Sequence, residues 1–173
     1  MKDMNKMLTS GDLILALKKS LITSGFSVES IYQCDGDLKT FHKLEISFNN
    51  DKMTLFINVR NIGSAYIPKK PYIKRRQVGK LLLEKIPPNT KNSLSMLIGI
   101  IRVDNIFVYA CWNPFYFIGH STNRSCYVLD SSIEYALQNG VYDGEDCKTP
   151  VLVFTEPNFN NIINIYLNRS VVD

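Results

Sequence analysis

Leu94-Ser-Met-Leu-Ile-Gly-Ile-Ile-Arg-Val103, then Asp104-Asn105, then Ile106-Phe-Val-Tyr-Ala-Cys-Trp112 is the stretch on which the fold turns. Two apolar runs of strand length flank a two-residue Asp-Asn unit, which reads as a compact β-hairpin. Their near-continuous apolarity places the hairpin at the centre of the core. Asn113-Pro114 ends it, because proline cannot donate to a strand ladder and turns the chain outward.

Working outward toward the N-terminus, Met53–Val59 alternates through Met53, Leu55, Ile57 and Val59, and Phe41–Phe48 alternates through Leu44, Ile46 and Phe48. Asn49-Asn50-Asp51-Lys52 between them supplies a hairpin turn. Ser27–Tyr32 is β-prone and runs into a turn at Asp35-Gly36-Asp37. Ahead of it, Leu13, Leu17 and Leu21 fall four apart. They predict a helix over about Gly11 to Ser24, capped by Ser10 or Thr9 and stopped by Gly25. Leu81–Ile86 reads as a short helix that Pro87-Pro88 stops.

Toward the C-terminus, Ser125–Leu129 reads as a strand. Ser131-Ser-Ile-Glu134 matches a capping box, leading a helix through Ile133, Ala136 and Leu137 to Gly140. Asp143–Lys148 reads as a polar turn and Pro150–Phe154 as a buried strand. Pro157 opens a final helix in which Phe159, Ile162, Ile163, Tyr166 and Leu167 share one face. The fold class is α+β: about seven mostly antiparallel strands form an open barrel-like sheet with two or three flanking helices, in a single domain over residues 1–173.

The totals agree with a folded chain. Its 173 residues suffice for one sizeable core, and 45% hydrophobic with 21% charged residues excludes intrinsic disorder. No apolar run approaches the roughly 18 residues of a membrane span, and Leu13–Leu17 is too short for a signal-peptide core. The expectation is a cytoplasmic protein without membrane attachment. Cys34, Cys111, Cys126 and Cys147 form no paired motif, and His42 and His120 have no partner at ligand spacing, so no metal or cofactor is expected.

Charge is uneven. Tyr66-Ile-Pro-Lys-Lys-Pro-Tyr-Ile-Lys-Arg-Arg-Gln-Val-Gly-Lys80 holds six of the chain's 20 basic residues and no acid, leaving 14 basic residues against 16 acidic ones elsewhere. Positive charge gathered in one place, with tyrosines and prolines between, suits a surface that meets a polyanion. The candidate DNA contacts are Lys69, Lys70, Tyr72, Lys74, Arg75, Arg76, Gln77 and Lys80. Lysine and arginine supply phosphate contacts, arginine can also read guanine through a bidentate pair, and glutamine suits adenine. A second polar cluster, Ser121-Thr-Asn-Arg124, follows the aromatic run Phe115-Tyr-Phe117, and Asn113, Asn123 and Arg124 are further candidate DNA contacts. Trp112 and that run are read first as core and second as a pocket for a stacked base.

Catalysis is poorly represented. Asp37-Leu-Lys39 and Asp146-Cys-Lys148 are the two acid-x-lysine triplets that a metal-dependent nuclease would use, but both fall in turn-like segments. No phosphate-cradling glycine loop is present. The alternatives to a DNA-binding domain are such a small nuclease, or a module that binds RNA or an acidic protein.

Arg75-Arg-Gln77, Leu97-Ile-Gly99, Asp104 with Phe107, Trp112-Asn-Pro114, Tyr127-Val128, Ala136 with Gly140, Val151–Phe154 and Tyr166-Leu167 carry, in their order and spacing, a resemblance. From about Tyr66 to Leu167 the chain is similar to the amino-terminal target-recognition domains of bacterial restriction enzymes, including those fused to McrBC-like GTPase motors such as the LlaJI type. The resemblance implies double-stranded DNA as partner, read for its sequence or its modification. It further implies the DNA-binding pseudobarrel shared with plant auxin-response-type transcription factors. The basic stretch would then be one arm entering the major groove and Asn113–Arg124 the other. The chain lacks GTPase and nuclease motifs, so a nuclease, a GTPase motor or both are expected in the same or a partner chain. The first 60 residues lie outside the resemblance.

Overall fold

In a computed structural model, residues 7–78, 83–117 and 125–170 are described. The apolar hairpin around Asp104-Asn105 is the centre of a seven-stranded sheet. Its strands β6 (Ser93–Val103) and β7 (Ile106–Trp112) pair antiparallel from Leu97 opposite Trp112 to Val103 opposite Ile106. Asp104 and Asn105 both take left-handed backbone, with φ of 46° and 67°. That is the two-residue turn whose twist matches the strands it joins.

The remaining strands are β1 (Ser27–Gln33), β2 (His42–Phe48), β3 (Asp51–Asn61), β9 (Val141–Asp146) and β10 (Thr149–Thr155), in the order β1-β2-β3-β6-β7-β10-β9. β2 and β3 join through Asn49 and Asn50, again at positive φ. Every neighbouring pair is antiparallel except β3 and β6, which run parallel from Thr54 beside Ser93 to Asn61 beside Ile100. A parallel pair needs a long crossover. The crossover from Ile62 to Asn92 carries β4 (Gly63–Ser64) and β5 (Ile73–Gln77). These pair with β8 (Ser125–Leu129) as a second sheet, ordered β4-β5-β8.

Both faces of the large sheet are covered. Met96, Ile98 and Ile100 of β6 face one side, together with Leu44, Ile46, Leu55 and Ile57. There they meet Leu13, Leu17 and Leu21 of α1 (Ser10–Thr23) and Phe159, Ile162 and Ile163 of α3 (Phe159–Ser170). Leu97 and Ile101 face the other side with Val108, Trp112 and Val153. They pack on Cys126 and Val128 of β8 and on Ile133 and Ala136 of α2 (Asp130–Asn139). This two-sided cover is why Leu94–Ile101 reads as continuously apolar. A Cβ at Gly99 would stand 2.5 Å from the Ile62 side chain and 3.1 Å from the Trp112 ring. The small residue is what lets these two meet across the strand.

The architecture is mixed α+β, as expected: seven strands, antiparallel but for one pair, form the open main sheet, and β4, β5 and β8 add a second one. The large sheet is open: β1 and β9 are its edges, and among the described residues they do not pair. Three local expectations change. Asp143–Asp146 is strand, because β9 is an edge whose second side is solvent and so accepts Asp143, Gly144 and Glu145. The Ser131–Glu134 capping box does not form: α2 starts two residues earlier than that box requires, with Leu129 in the cap position. The capping box that does form joins Thr9 and Asp12 at the start of α1. Of the helix expected over Leu81–Ile86, residues 83–85 form one 3₁₀ turn. Residues 81 and 82 lie outside the described residues.

Candidate nucleic-acid interface

The basic stretch divides into a loop and a strand. Its loop half, between β4 and β5, is closed at the base by Ala65 N–H donating to the Ile73 carbonyl at 3.2 Å. At the tip, Lys70 N–H donates to the Ile67 carbonyl at 3.1 Å. Lys69 and Lys70 are exposed at this tip between Pro68 and Pro71. Neither has a carboxylate partner among the described residues. Tyr66 and Tyr72 flank the tip, 83% and 49% exposed.

The strand half is read with period two. Arg76 is paired with Cys126 in the ladder and Lys74 with Val128. Cys126 and Val128 point into the core, so Arg76 and Lys74 turn toward it as well. Arg75 and Gln77 therefore take the opposite face. The sequence offers Lys74, Arg75 and Arg76 alike as candidate contacts, and the pleat separates them.

Arg76 is fully buried and so is not part of the exposed basic surface. One nitrogen, Nη2, donates to Asn58 Oδ1, while Nε and Nη1 have no partner among the described residues. Burial pushes the guanidinium down to about 10, and nearby Arg60 acts in the same direction. Lys74 is occupied too. Its ammonium pairs with Asp130 at 3.0 Å and donates to the Pro71 carbonyl at 2.8 Å, pinning the loop to the start of α2. Asn113 is spent on local structure: its side-chain oxygen accepts from Phe115 N–H at 3.0 Å, and its carbonyl accepts from Tyr116 N–H at 3.1 Å. Lys80, Asn123 and Arg124 lie outside the described residues, as does His120.

What the fold does bring together is a cleft of about 680 Å³ between β3, β4, β5 and the chain leading into α1. Arg60, Tyr66, Arg75 and Gln77 line it, with Asn61, Ser64 and Thr40 as neutral polar groups and no carboxylate among the lining residues. Arg60 Nη1 lies 3.5 Å from the Gln77 carbonyl, which holds the two strands' cations on one wall. The N-terminal segment forms the opposite wall and is tied in twice. Leu8 N–H donates to Asn61 Oδ1 at 2.9 Å, and Asn61 Nδ2 donates back to the Leu8 carbonyl at 2.8 Å. Sequence reading missed Arg60. It stands alone in a strand seventeen residues from Gln77, and only the β3–β5 proximity makes it part of the basic surface.

Trp112 is core: it is 1% exposed, and its indole N–H donates to the Tyr127 carbonyl at 3.3 Å. Beside it, Phe115, Tyr116 and Tyr166 border a separate pocket of about 330 Å³ that shares no lining residue with the cleft. Asp146, one of the two acids weighed for a metal site, is buried and fully used. It accepts from Leu129 N–H at 2.8 Å, Ser132 Oγ at 2.9 Å and the Tyr142 hydroxyl at 3.1 Å. Asp37 is exposed in a 3₁₀ turn, and among the described residues no three His, Cys, Asp or Glu side chains gather as metal ligands. Cys111 and Cys126 are buried thiols, each pushed up to about 12 by burial, which suits packing rather than nucleophilic chemistry. Among the described residues no helix is long and apolar enough to cross a membrane.

Residues 53–163, more than half of the chain, match the family model described as Methylase-associated X1. The matched span includes Arg60, Tyr66, Arg75 and Gln77, and omits α1 and the N-terminal wall of the cleft. No curated protein and no solved structure matches the chain.

Proposed function

The chain belongs to the Methylase-associated X1 family, and on that premise we propose that it is a non-catalytic, duplex-DNA-recognition domain of a bacterial methylation-linked restriction system. The observation that carries this reading is the cleft itself. Two guanidiniums, Arg60 and Arg75, share a wall without a neighbouring carboxylate, beside a proline-braced loop that presents Lys69 and Lys70. A surface that gathers cations without pairing them is stabilised by a partner that brings the anions. In this reading Lys69, Lys70, Arg60 and Arg75 hold phosphates, while Gln77 and Tyr72 meet bases. Lys80, Asn123 and Arg124, outside the described residues, are further phosphate or base contacts of this reading. Cleavage or strand translocation is supplied by a nuclease, a GTPase motor or both, as in McrBC-like and LlaJI-type systems, in the same or a partner chain of the cytoplasm.

Binding to a labelled duplex across a salt series tests the reading. With about four phosphate contacts the log–log slope is roughly −3 to −4. The pair Lys69→Ala and Lys70→Ala lowers its magnitude by about one per lost contact. A slope near zero removes DNA as the partner. Preferential competition by RNA, or by an acidic protein, moves the cleft to that ligand instead.

A further inference from the structure

Tyr66 is the most solvent-exposed of the large apolar side chains in the described residues, at 83%, and its backbone is left-handed, with φ of 54°. L-residues other than Gly, Asn and Asp seldom adopt that conformation, and an aromatic has no local hydrogen bond with which to offset it. The backbone on either side holds it there. Ser64 is paired in β4, Ser64 Oγ accepts from Tyr66 N–H at 3.1 Å, and Ala65 is buried and bonded to Ile73. So the fold supports a rigid mount and leaves the ring it carries without packing. Glycine would suit this position better for folding. A ring kept at such a position serves something outside the chain.

We propose that Tyr66 is a stacking wedge: its phenol ring enters the duplex held in the cleft and lies against a nucleobase at a partly unstacked base step. This rests on the duplex-binding reading above. The placement suits the role, since the ring stands in the same cleft as Arg60, Arg75 and Gln77. These can hold the phosphates and base edges on either side of the step. Phosphate neutralisation is already supplied by the four cations. What the cleft otherwise lacks is a flat apolar face, which is what every base offers and what unstacking exposes.

The test uses the full chain, duplexes carrying 2-aminopurine at successive positions, and the variants Tyr66→Gly, Tyr66→Asn and Tyr66→Phe. Glycine and asparagine both tolerate positive φ, so these two variants keep the melting temperature of the parent chain or raise it. The expected result is an affinity loss of about tenfold for both, an unchanged salt slope, and loss of the 2-aminopurine fluorescence increase that the parent chain produces at one position. Tyr66→Phe keeps affinity and fluorescence, because the ring and not the hydroxyl does the stacking. Parental affinity in Tyr66→Gly overturns the wedge while leaving the cleft reading intact. A loss in Tyr66→Phe with a shallower salt slope overturns it as well, by making the hydroxyl a phosphate ligand. A parent chain without salt-dependent duplex binding removes the cleft reading and the wedge together.

Discussion

Arg76 enters the fold as a charge with no acid beside it among the described residues. It lies between the two sheets, its one hydrogen-bond acceptor among those residues is Asn58 Oδ1, and Asn58 in turn donates to Thr40 Oγ1 at 3.0 Å. A buried cation with two idle nitrogens costs more in lost hydration than one amide returns. Asn58→Ala removes that acceptor, and the expected loss is about 3–5 kcal/mol in denaturant melts. The double variant Arg76→Met with Asn58→Leu removes the charge and the amide while roughly keeping volume. It is expected within about 1 kcal/mol of the parent chain or above it. If the cleft binds duplex as proposed, the double variant keeps the parent affinity, because Arg75 and Gln77 face the cleft and Arg76 does not. A specific loss of affinity in a stable double variant would return Arg76 to the interface. Nothing in Lys-Arg-Arg-Gln itself separates the inward arginine from the outward one, since both neighbours are polar and the period-two signal needs apolar residues to show.

At the scale of elements, turn chemistry decided which hairpins were visible. Asn49-Asn50 and Asp104-Asn105 carry residues that tolerate left-handed backbone, and both were legible. Cys147 and Lys148 join β9 to β10 with the same geometry, φ of 50° and 63°, but neither residue announces it. The edge strand before them, Val-Tyr-Asp-Gly-Glu-Asp, looks like turn for the same reason that it works as an edge: half of it faces water. Cys147→Asn with Lys148→Gly supplies the residues this turn prefers. The expected gain is about 1 kcal/mol in denaturant melts. No gain, or a loss, would show that the turn differs from a two-residue left-handed one.

At the scale of the molecule, the family match begins at residue 53, but the core does not. Leu13, Leu17 and Leu21 of α1 and Leu44 and Ile46 of β2 are all buried on the face of the large sheet that α3 alone would leave half covered. Each contributes about 1.5–3 kcal/mol. Together they are comparable to the roughly 5–15 kcal/mol by which a whole domain is stable. A chain starting at Met53 is therefore expected to lose its cooperative thermal transition and the near-ultraviolet signal of buried Trp112. A sharp transition in that shortened chain would make the first 52 residues an appendage.

The sequence alone determined the parts that depend on neighbours along the chain: the central hairpin, the alternating β2–β3 pair, α1 and α3, and a concentration of cations between Lys69 and Lys80. Tertiary structure alone decided how those cations are used. β3 and β6 run parallel, so the chain must cross over between them, and that crossover lays the basic stretch down as a loop and a strand on a second sheet. Pleating then buries Arg76, an ion pair holds Lys74, and the approach of β3 brings in Arg60. Parallel pairing joins residues some forty positions apart, and side-chain direction in a strand without apolar markers is set by the surface it lies on. Neither quantity is written in any local pattern of residues, which is why the cleft became visible only in the folded molecule.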